Sequence, residues 1–178
     1  VPALVFIGSV SAVGKTTLLA QVPGRERTWQ WCSAGKIIAE ELSLSALPTE
    51  DEATVLRYQD ALVRGYLRRA QGSTLPVVMD GHFTLPLRMA RMAIPVEIFR
   101  ALAPRVLVVL SVTPEEIRQR MVRRDGDAPQ ATVLADATAA EEHAARAIAD
   151  ALALPLHCWP AEDTTVPALS RLFEELGP

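Results

Sequence analysis

Lys15 ends the stretch Ser9-Val10-Ser11-Ala12-Val13-Gly14-Lys15 and is followed by Thr16-Thr17; it is one of two lysines in a chain with sixteen arginines. A lysine at the start of a helix gains nothing from the positive end of the helix dipole unless an anion accompanies it. The chemistry that fits is a polyphosphate cradle. Backbone N–H groups from Ser11, Ala12, Val13, Gly14, Lys15, Thr16 and Thr17 would face phosphate oxygens, the Lys15 ammonium would bridge the outer phosphates, and Thr16 would offer its hydroxyl to Mg²⁺. The spelling departs from the usual pattern at two places. Ser9 stands six residues before the lysine, where glycine is usual, and Ala12 takes another position that is often glycine. The expected ligand is ATP, with GTP left open.

A second chemical cluster lies at Val77-Val78-Met79-Asp80-Gly81-His82, an apolar strand that ends in an acid. Asp80 there serves a metal through water, or takes the proton of a hydroxyl acceptor, or simply caps a turn. His82 either touches the acceptor or fills a loop. Arg120 precedes Arg123 and Arg124 by three and four residues, so these guanidinium groups share one side of a helix. They meet a transferring phosphoryl group, or they form a solvated face salted by Glu115, Glu116, Asp125 and Asp127. Arg146, on the following helix, leaves its alanine face and is a further candidate for the same site. The loop after Trp159, Pro160-Ala161-Glu162-Asp163, is placed to lie beside a purine, with Trp159 itself expected in the core.

The elements that must position these groups follow from periodicity. Five short apolar runs, Ala3–Ile7, Trp29–Cys32, Pro76–Met79, Val106–Val112 and Leu154–Trp159, are mostly continuous, as in strands buried on both faces of a parallel sheet. Helical patterns separate them. Thr49-Glu50-Asp51-Glu52 reads as a capping box opening a helix that ends at Gly72, and Thr113-Pro114-Glu115-Glu116 reads as another. The stretch from Ala131 to Leu152 places Val133, Ala137, Ala140, Ala144, Ile148 and Ala151 on one face, and Val166–Leu176 forms the last helix. Alternation of strand and helix predicts a three-layer α/β fold of the P-loop NTPase type. One domain is expected over residues 1–178, with an acceptor-binding insertion at about 33–72 and a short lid at about 118–130.

Composition narrows the function classes. A net charge of −3 and a pI near 5.7 give no general pull toward nucleic acid or an anionic membrane. No apolar run approaches the roughly 20 residues that cross a bilayer. With no leader segment ahead of the first strand, the expected location is cytoplasmic. Cys32 and Cys158 sit in strand-like stretches and are read as buried thiols, and three scattered histidines have no metal-ligand spacing.

Taken together these residues resemble the adenylate kinases, most closely the short archaeal-type enzymes of the nucleoside monophosphate kinase group. The resemblance covers nearly the whole chain. It rests on Val10–Thr17, on Ser33-Ala34-Gly35, on Val78–His82, on Ile94-Pro95-Val96-Glu97-Ile98-Phe99 and on Ala103-Pro104-Arg105-Val106. Arg120 and Arg123 match the family's lid-helix arginines, and Arg146 matches the arginine after the lid. The resemblance implies a five-stranded parallel sheet, ATP with Mg²⁺ held by Thr16 and Asp80, and phosphoryl transfer to a small acceptor such as AMP. It also admits an oligomer. The acceptor side departs from the family: Gly35-Lys36 replaces Gly-Asp, Ala39 replaces an arginine, and Leu44-Ser45-Ala46-Leu47-Pro48 holds no cation. An AMP phosphate would need Lys36, Arg57, Arg64 or Arg88 instead. Two other readings therefore stand beside AMP: a kinase for a hydroxyl acceptor with Asp80 as base, and a non-kinase ATP-binding regulatory ATPase.

Overall fold

The computed structural model describes residues 2–49, 51–88 and 90–177. Five parallel strands form the central sheet: β1 (Leu4–Gly8), β2 (Gln30–Ser33), β3 (Val77–Gly81), β6 (Val106–Ser111) and β7 (Leu156–Pro160), in the order β2-β3-β1-β6-β7. All pairings in this sheet are parallel, with Phe6 opposite Met79 and Leu107 in the middle strands. β1 is buried throughout, and its side chains alternate between two cores. Leu4 and Phe6 join Met79, Phe83, Phe99 and Tyr66 on one face, while Val5 and Ile7 join Trp29, Val108, Leu169 and Phe173 on the other. Continuous apolar strands are the sequence consequence of this two-sided burial.

Helices α1 (Lys15–Gln21), α2 (Ala34–Leu42), α3 (Glu52–Ala70), α4 (Val96–Leu102), α5 (Pro114–Asp125), α6 (Ala131–Leu152) and α7 (Val166–Glu175) flank the sheet. α2 and α3 occupy the 33–72 segment and pack closely. A Cβ on Gly65 of α3 would stand 2.6 Å from Ile37 Cγ2 of α2, so glycine sets that approach. α5 begins as expected: the Glu116 amide donates to Thr113 Oγ1 at 3.3 Å, the Thr113 amide donates to a Glu116 carboxylate oxygen at 3.2 Å, and Pro114 opens the helix.

Three expectations are corrected. α3 is capped by Asp51, whose Oδ1 accepts from the Thr54 amide at 2.7 Å, and not by Thr49; Glu50 lies outside the described residues. The buried face of α6 runs through Leu134, Ala137, Glu141, Ala144, Ala145 and Ile148, leaving Val133 53% exposed. The true stripe contains a carboxylate, which a search for apolar periodicity skips. Cys158 is exposed, because β7 is an edge strand, and Cys32 is half-buried. A small antiparallel pair with no counterpart among the expected elements, β4 (Thr84–Pro86) and β5 (Arg91–Ala93), follows β3. Among the described residues no helix is long and apolar enough to cross a membrane.

Candidate functional site

β1 delivers the chain into the Ser9–Gly14 loop, and α1 begins at Lys15. Gly14 has φ 102° and Ala12 has φ 65°, so both central turns of the loop are left-handed. Only the first is glycine. Ala12 therefore occupies a conformation that costs an L-residue about 1–2 kcal/mol, at a position where glycine would sit without strain.

Ser9, which stands where the usual pattern has glycine, binds the lysine. Its side chain is 1% exposed, its hydroxyl donates to the Val10 carbonyl at 2.9 Å, and the same oxygen accepts from Lys15 Nζ at 2.8 Å. The Ser9 carbonyl accepts a second bond from Nζ at 3.2 Å. The ammonium is thus folded over the loop by the residue that replaces glycine. Burial pushes the Lys15 pKa down, while Asp80 and Glu141 pull it back up.

Asp80, on β3 beside β1, faces the same space. Its Oδ2 accepts from the indole N–H of Trp31 on β2 at 2.7 Å. Burial raises its pKa, opposed by the Trp31 hydrogen bond, by Lys15 and by the Ser33 hydroxyl. His82 Nδ1 lies 2.6 Å from the Ser9 carbonyl oxygen, to which it donates. Burial and the nearby Lys15 and Arg91 charges depress the His82 pKa to about 4, against a smaller upward effect of the Ser9 bond. The ring is neutral at pH 7.

Behind these groups Glu141 of α6 is 1% exposed. Its carboxylate accepts from the amides of Phe83 (2.9 Å) and Thr84 (2.8 Å) and from Thr84 Oγ1 (2.7 Å). Arg91 of β5 donates to Thr84 Oγ1 at 2.9 Å. Glu141 thereby fixes the segment that carries His82, and His82 in turn fixes the Ser9 carbonyl on which Lys15 rests. Neither Trp31 nor Glu141 was marked by spacing in the sequence.

Two cavities meet at Asp80. One, of about 580 Å³, is lined by Ser9–Leu18, Gln21, Asp80, His82, Arg120, Arg124, Ala161 and Asp163. It contains the whole phosphate loop and the end of the Pro160–Asp163 loop, where Gln21 Nε2 donates to Asp163 Oδ1 at 3.1 Å. The other, of about 260 Å³, lies under α2 and α3 and is mostly apolar. Asp80 and His82 are the two residues that line both.

The cations divide unevenly. Arg120 donates to the Val13 carbonyl and pairs with Glu116 at 3.9 Å, so it reaches the loop. Arg124 lines the cavity one turn further on and is bound to Asp125. Arg123 turns back to its own helix, donating to the Gln119 carbonyl at 3.3 Å. Arg146 is exposed, with a guanidinium nitrogen 3.9 Å from Cys158 Sγ, and does not join the cavity. Of the substitutes for an acceptor-side cation, Lys36 lines a separate groove along β2 beside Glu40, Arg57 lies over the Tyr58 ring at 5.8 Å, and Arg64 and Arg88 are exposed. The site fits Mg²⁺ in kind: Thr16 and Asp80 offer hard oxygens to one cavity.

A family model described as AAA domain matches residues 9–136. No curated protein matches the chain. Among solved structures, the chain is similar to a gluconokinase from Sinorhizobium meliloti 1021, with a TM-score of 0.52 and 14% identity over 98% of this chain and 95% of that one. It is also similar to a shikimate kinase from Acinetobacter baumannii in complex with shikimate, with a TM-score of 0.56 and 15% identity over 98% of this chain and 94% of that one.

Proposed function

The chain belongs to the AAA domain family, and from that premise we propose that it is an ATP-dependent small-molecule kinase that phosphorylates a hydroxyl group. The observation that carries this reading is the meeting of the phosphate cavity and the apolar cavity at Asp80 and His82. A γ-phosphoryl group held by Lys15 and the loop N–H groups would face an acceptor standing under α2 and α3, with a carboxylate between them.

The residues divide the work as follows. The loop amides from Ser11 to Thr17 and the Lys15 ammonium bind the phosphates. Arg120 stands where charge develops as the phosphoryl group moves. Thr16 would hold Mg²⁺, which when bound would neutralise charge on the outer phosphates, and for a hydroxyl acceptor Asp80 serves as the base instead of as a metal ligand. Trp31 occupies one oxygen of Asp80 and leaves the other to accept the acceptor's proton. In the transfer, the acceptor oxygen bonds to the γ-phosphorus as the bond to the β–γ bridging oxygen breaks. ADP leaves with that electron pair and the acceptor proton passes to Asp80. Burial, which raises the basicity of Asp80, favours that last step. Arg123 and Arg146 contribute only after a rearrangement that turns them toward the cavity.

The resemblance to adenylate kinases supports the phosphate side of this reading, and the acceptor side favours a hydroxyl over AMP. A nucleotide phosphate needs cations, and no lysine or arginine lines the apolar cavity among the described residues. Two of the similar folds are a gluconokinase and a shikimate kinase, named for hydroxylated acceptors. A coupled assay of ADP release over hydroxyl compounds and nucleoside monophosphates tests the choice. Turnover with hydroxyl acceptors that is lost in Asp80→Asn supports the reading; turnover with AMP, insensitive to Asp80→Asn, overturns it.

A further inference from the structure

The cavity under α2 and α3 has an unusual balance of groups for a site beside a phosphate cradle. Phe6, Ile38, Leu62, Ile94, Phe99 and Leu102 supply apolar walls. No basic side chain lines it among the described residues, and its one carboxylate is Asp80 at the junction. His82 turns its Nδ1 onto the Ser9 carbonyl oxygen at 2.6 Å. Of the two cations on the neighbouring hairpin, Arg91 is turned onto Thr84 Oγ1 and Arg88 is exposed.

Deep in this cavity lies Gln59 of α3, 2% exposed. Its Oε1 is buried and accepts no hydrogen bond from any described residue. A buried amide oxygen without a donor is costly; a turn about the soft terminal torsion of Gln59 brings the oxygen to the cavity, where a donor on the molecule that fills the space supplies the missing bond. An anion there would lose its hydration without gaining a counter-ion and would stand near the Asp80 carboxylate. The volume, about 260 Å³, is below the range of roughly 300–1,000 Å³ typical of drug-sized ligands, which favours a small molecule over a nucleotide.

We propose that the acceptor is a small uncharged alcohol with an apolar body, its hydroxyl at Asp80 and a second hydrogen-bond donor at the Gln59 carboxamide. The alcohol end rests on the hydroxyl-kinase reading above; the uncharged, apolar body and the distal donor rest on the cavity alone. Selection against carboxylates and phosphates follows from the missing cation, and selection for the distal donor follows from Gln59.

Three probes on one benzyl alcohol frame test this: p-(hydroxymethyl)benzamide, p-(hydroxymethyl)benzoate and p-(aminomethyl)benzyl alcohol, with unsubstituted benzyl alcohol as reference. Binding to the whole protein is measured by ligand-observed NMR and calorimetry, with and without ATP and Mg²⁺. The neutral amide is expected to bind about a hundredfold more tightly than the benzoate and more tightly than the ammonium compound. Gln59→Leu is expected to remove about tenfold of the amide's advantage over benzyl alcohol while leaving benzyl alcohol binding unchanged. Equal or tighter binding of a charged probe, or no binding by the neutral ones, overturns the proposal. So does an amide advantage untouched in a folded Gln59→Leu protein. The charge series on the unaltered protein decides the matter if that variant does not fold. Mass spectrometry of the ATP-containing samples separates the two readings. An amide that binds through Gln59 yet is never phosphorylated refutes the kinase and leaves the ligand class standing, whereas phosphorylation of AMP or of the benzoate alone refutes the ligand class and leaves the kinase standing.

Discussion

Replacing Glu141 with leucine should unfold the site from behind. The carboxylate is 1% exposed and accepts three hydrogen bonds, from the Phe83 amide, the Thr84 amide and Thr84 Oγ1. Leucine matches its volume approximately but leaves two backbone N–H groups in a region sealed by α6, β4 and β5, each unsatisfied donor costing about 1–3 kcal/mol. The Thr84 hydroxyl keeps Arg91 as a partner but loses its acceptor. Desolvation of the wild-type carboxylate offsets part of this loss. The net expectation is destabilisation by about 3 kcal/mol, which for a chain of this size lowers Tm by roughly 6–12 °C. Glu141→Gln keeps one acceptor oxygen and should cost about half as much. Urea unfolding followed by circular dichroism, with a double-mutant cycle to Thr84→Val, gives both values and their coupling. Weakened ATP binding should accompany the loss, because Glu141 supports the His82–Ser9–Lys15 sequence of contacts. A Glu141→Leu protein within 1 kcal/mol of wild type, binding ATP normally, would refute this account of how the loop is held.

His82 sets an acid limit on stability. Its pKa falls to about 4 in the folded chain from an ordinary 6.5, so between those values the unfolded chain binds a proton that the folded chain does not. Stability from this group is undiminished above pH 6.5 and declines as pH drops toward 4, by about 3 kcal/mol at the lower end. His82→Gln should flatten that slope in unfolding midpoints measured from pH 7 to 4. Ala12→Gly should relax the φ 65° position and raise stability by up to about 1 kcal/mol, since glycine's entropy cost cancels part of the relief; Ala12→Val should lower both stability and ATP affinity. Arg120→Ala should reduce kcat by about a hundredfold or more while changing ATP affinity much less, a split that steady-state kinetics resolves.

The sheet and its helices were legible in the sequence because burial on both faces leaves continuous apolar runs, and because Thr113 and Pro114 carry local capping chemistry. The turn from β1 into α1 was legible despite Ser9 and Ala12, since Gly14-Lys15-Thr16-Thr17 after a buried strand marks a strand-loop-helix junction. What escaped was contact across elements. Trp31 reaches Asp80 from a neighbouring strand 49 residues away in the chain, and Glu141 reaches Phe83 across 58. No local spacing encodes either. β4 and β5, three residues each, are too short to establish a period. Gln59 carries no local signal in the sequence, yet it is buried in the folded chain. The arginines show the converse: Arg120, Arg123 and Arg124 share a helix side by spacing, yet Arg120 and Arg124 line the cavity while Arg123 bonds its own backbone.

Transfer itself is the decisive observation. ATP labelled with heavy oxygen in its γ-phosphoryl group is incubated with Mg²⁺, the protein and a panel of small alcohols, and the products are read by phosphorus NMR and mass spectrometry. The account predicts a phosphate ester that carries the labelled phosphoryl group on an unlabelled acceptor oxygen, formed by the wild-type protein and lost in both Lys15→Ala and Asp80→Asn. Labelled inorganic phosphate as the sole product, or an ester formed equally well by Asp80→Asn, would contradict it.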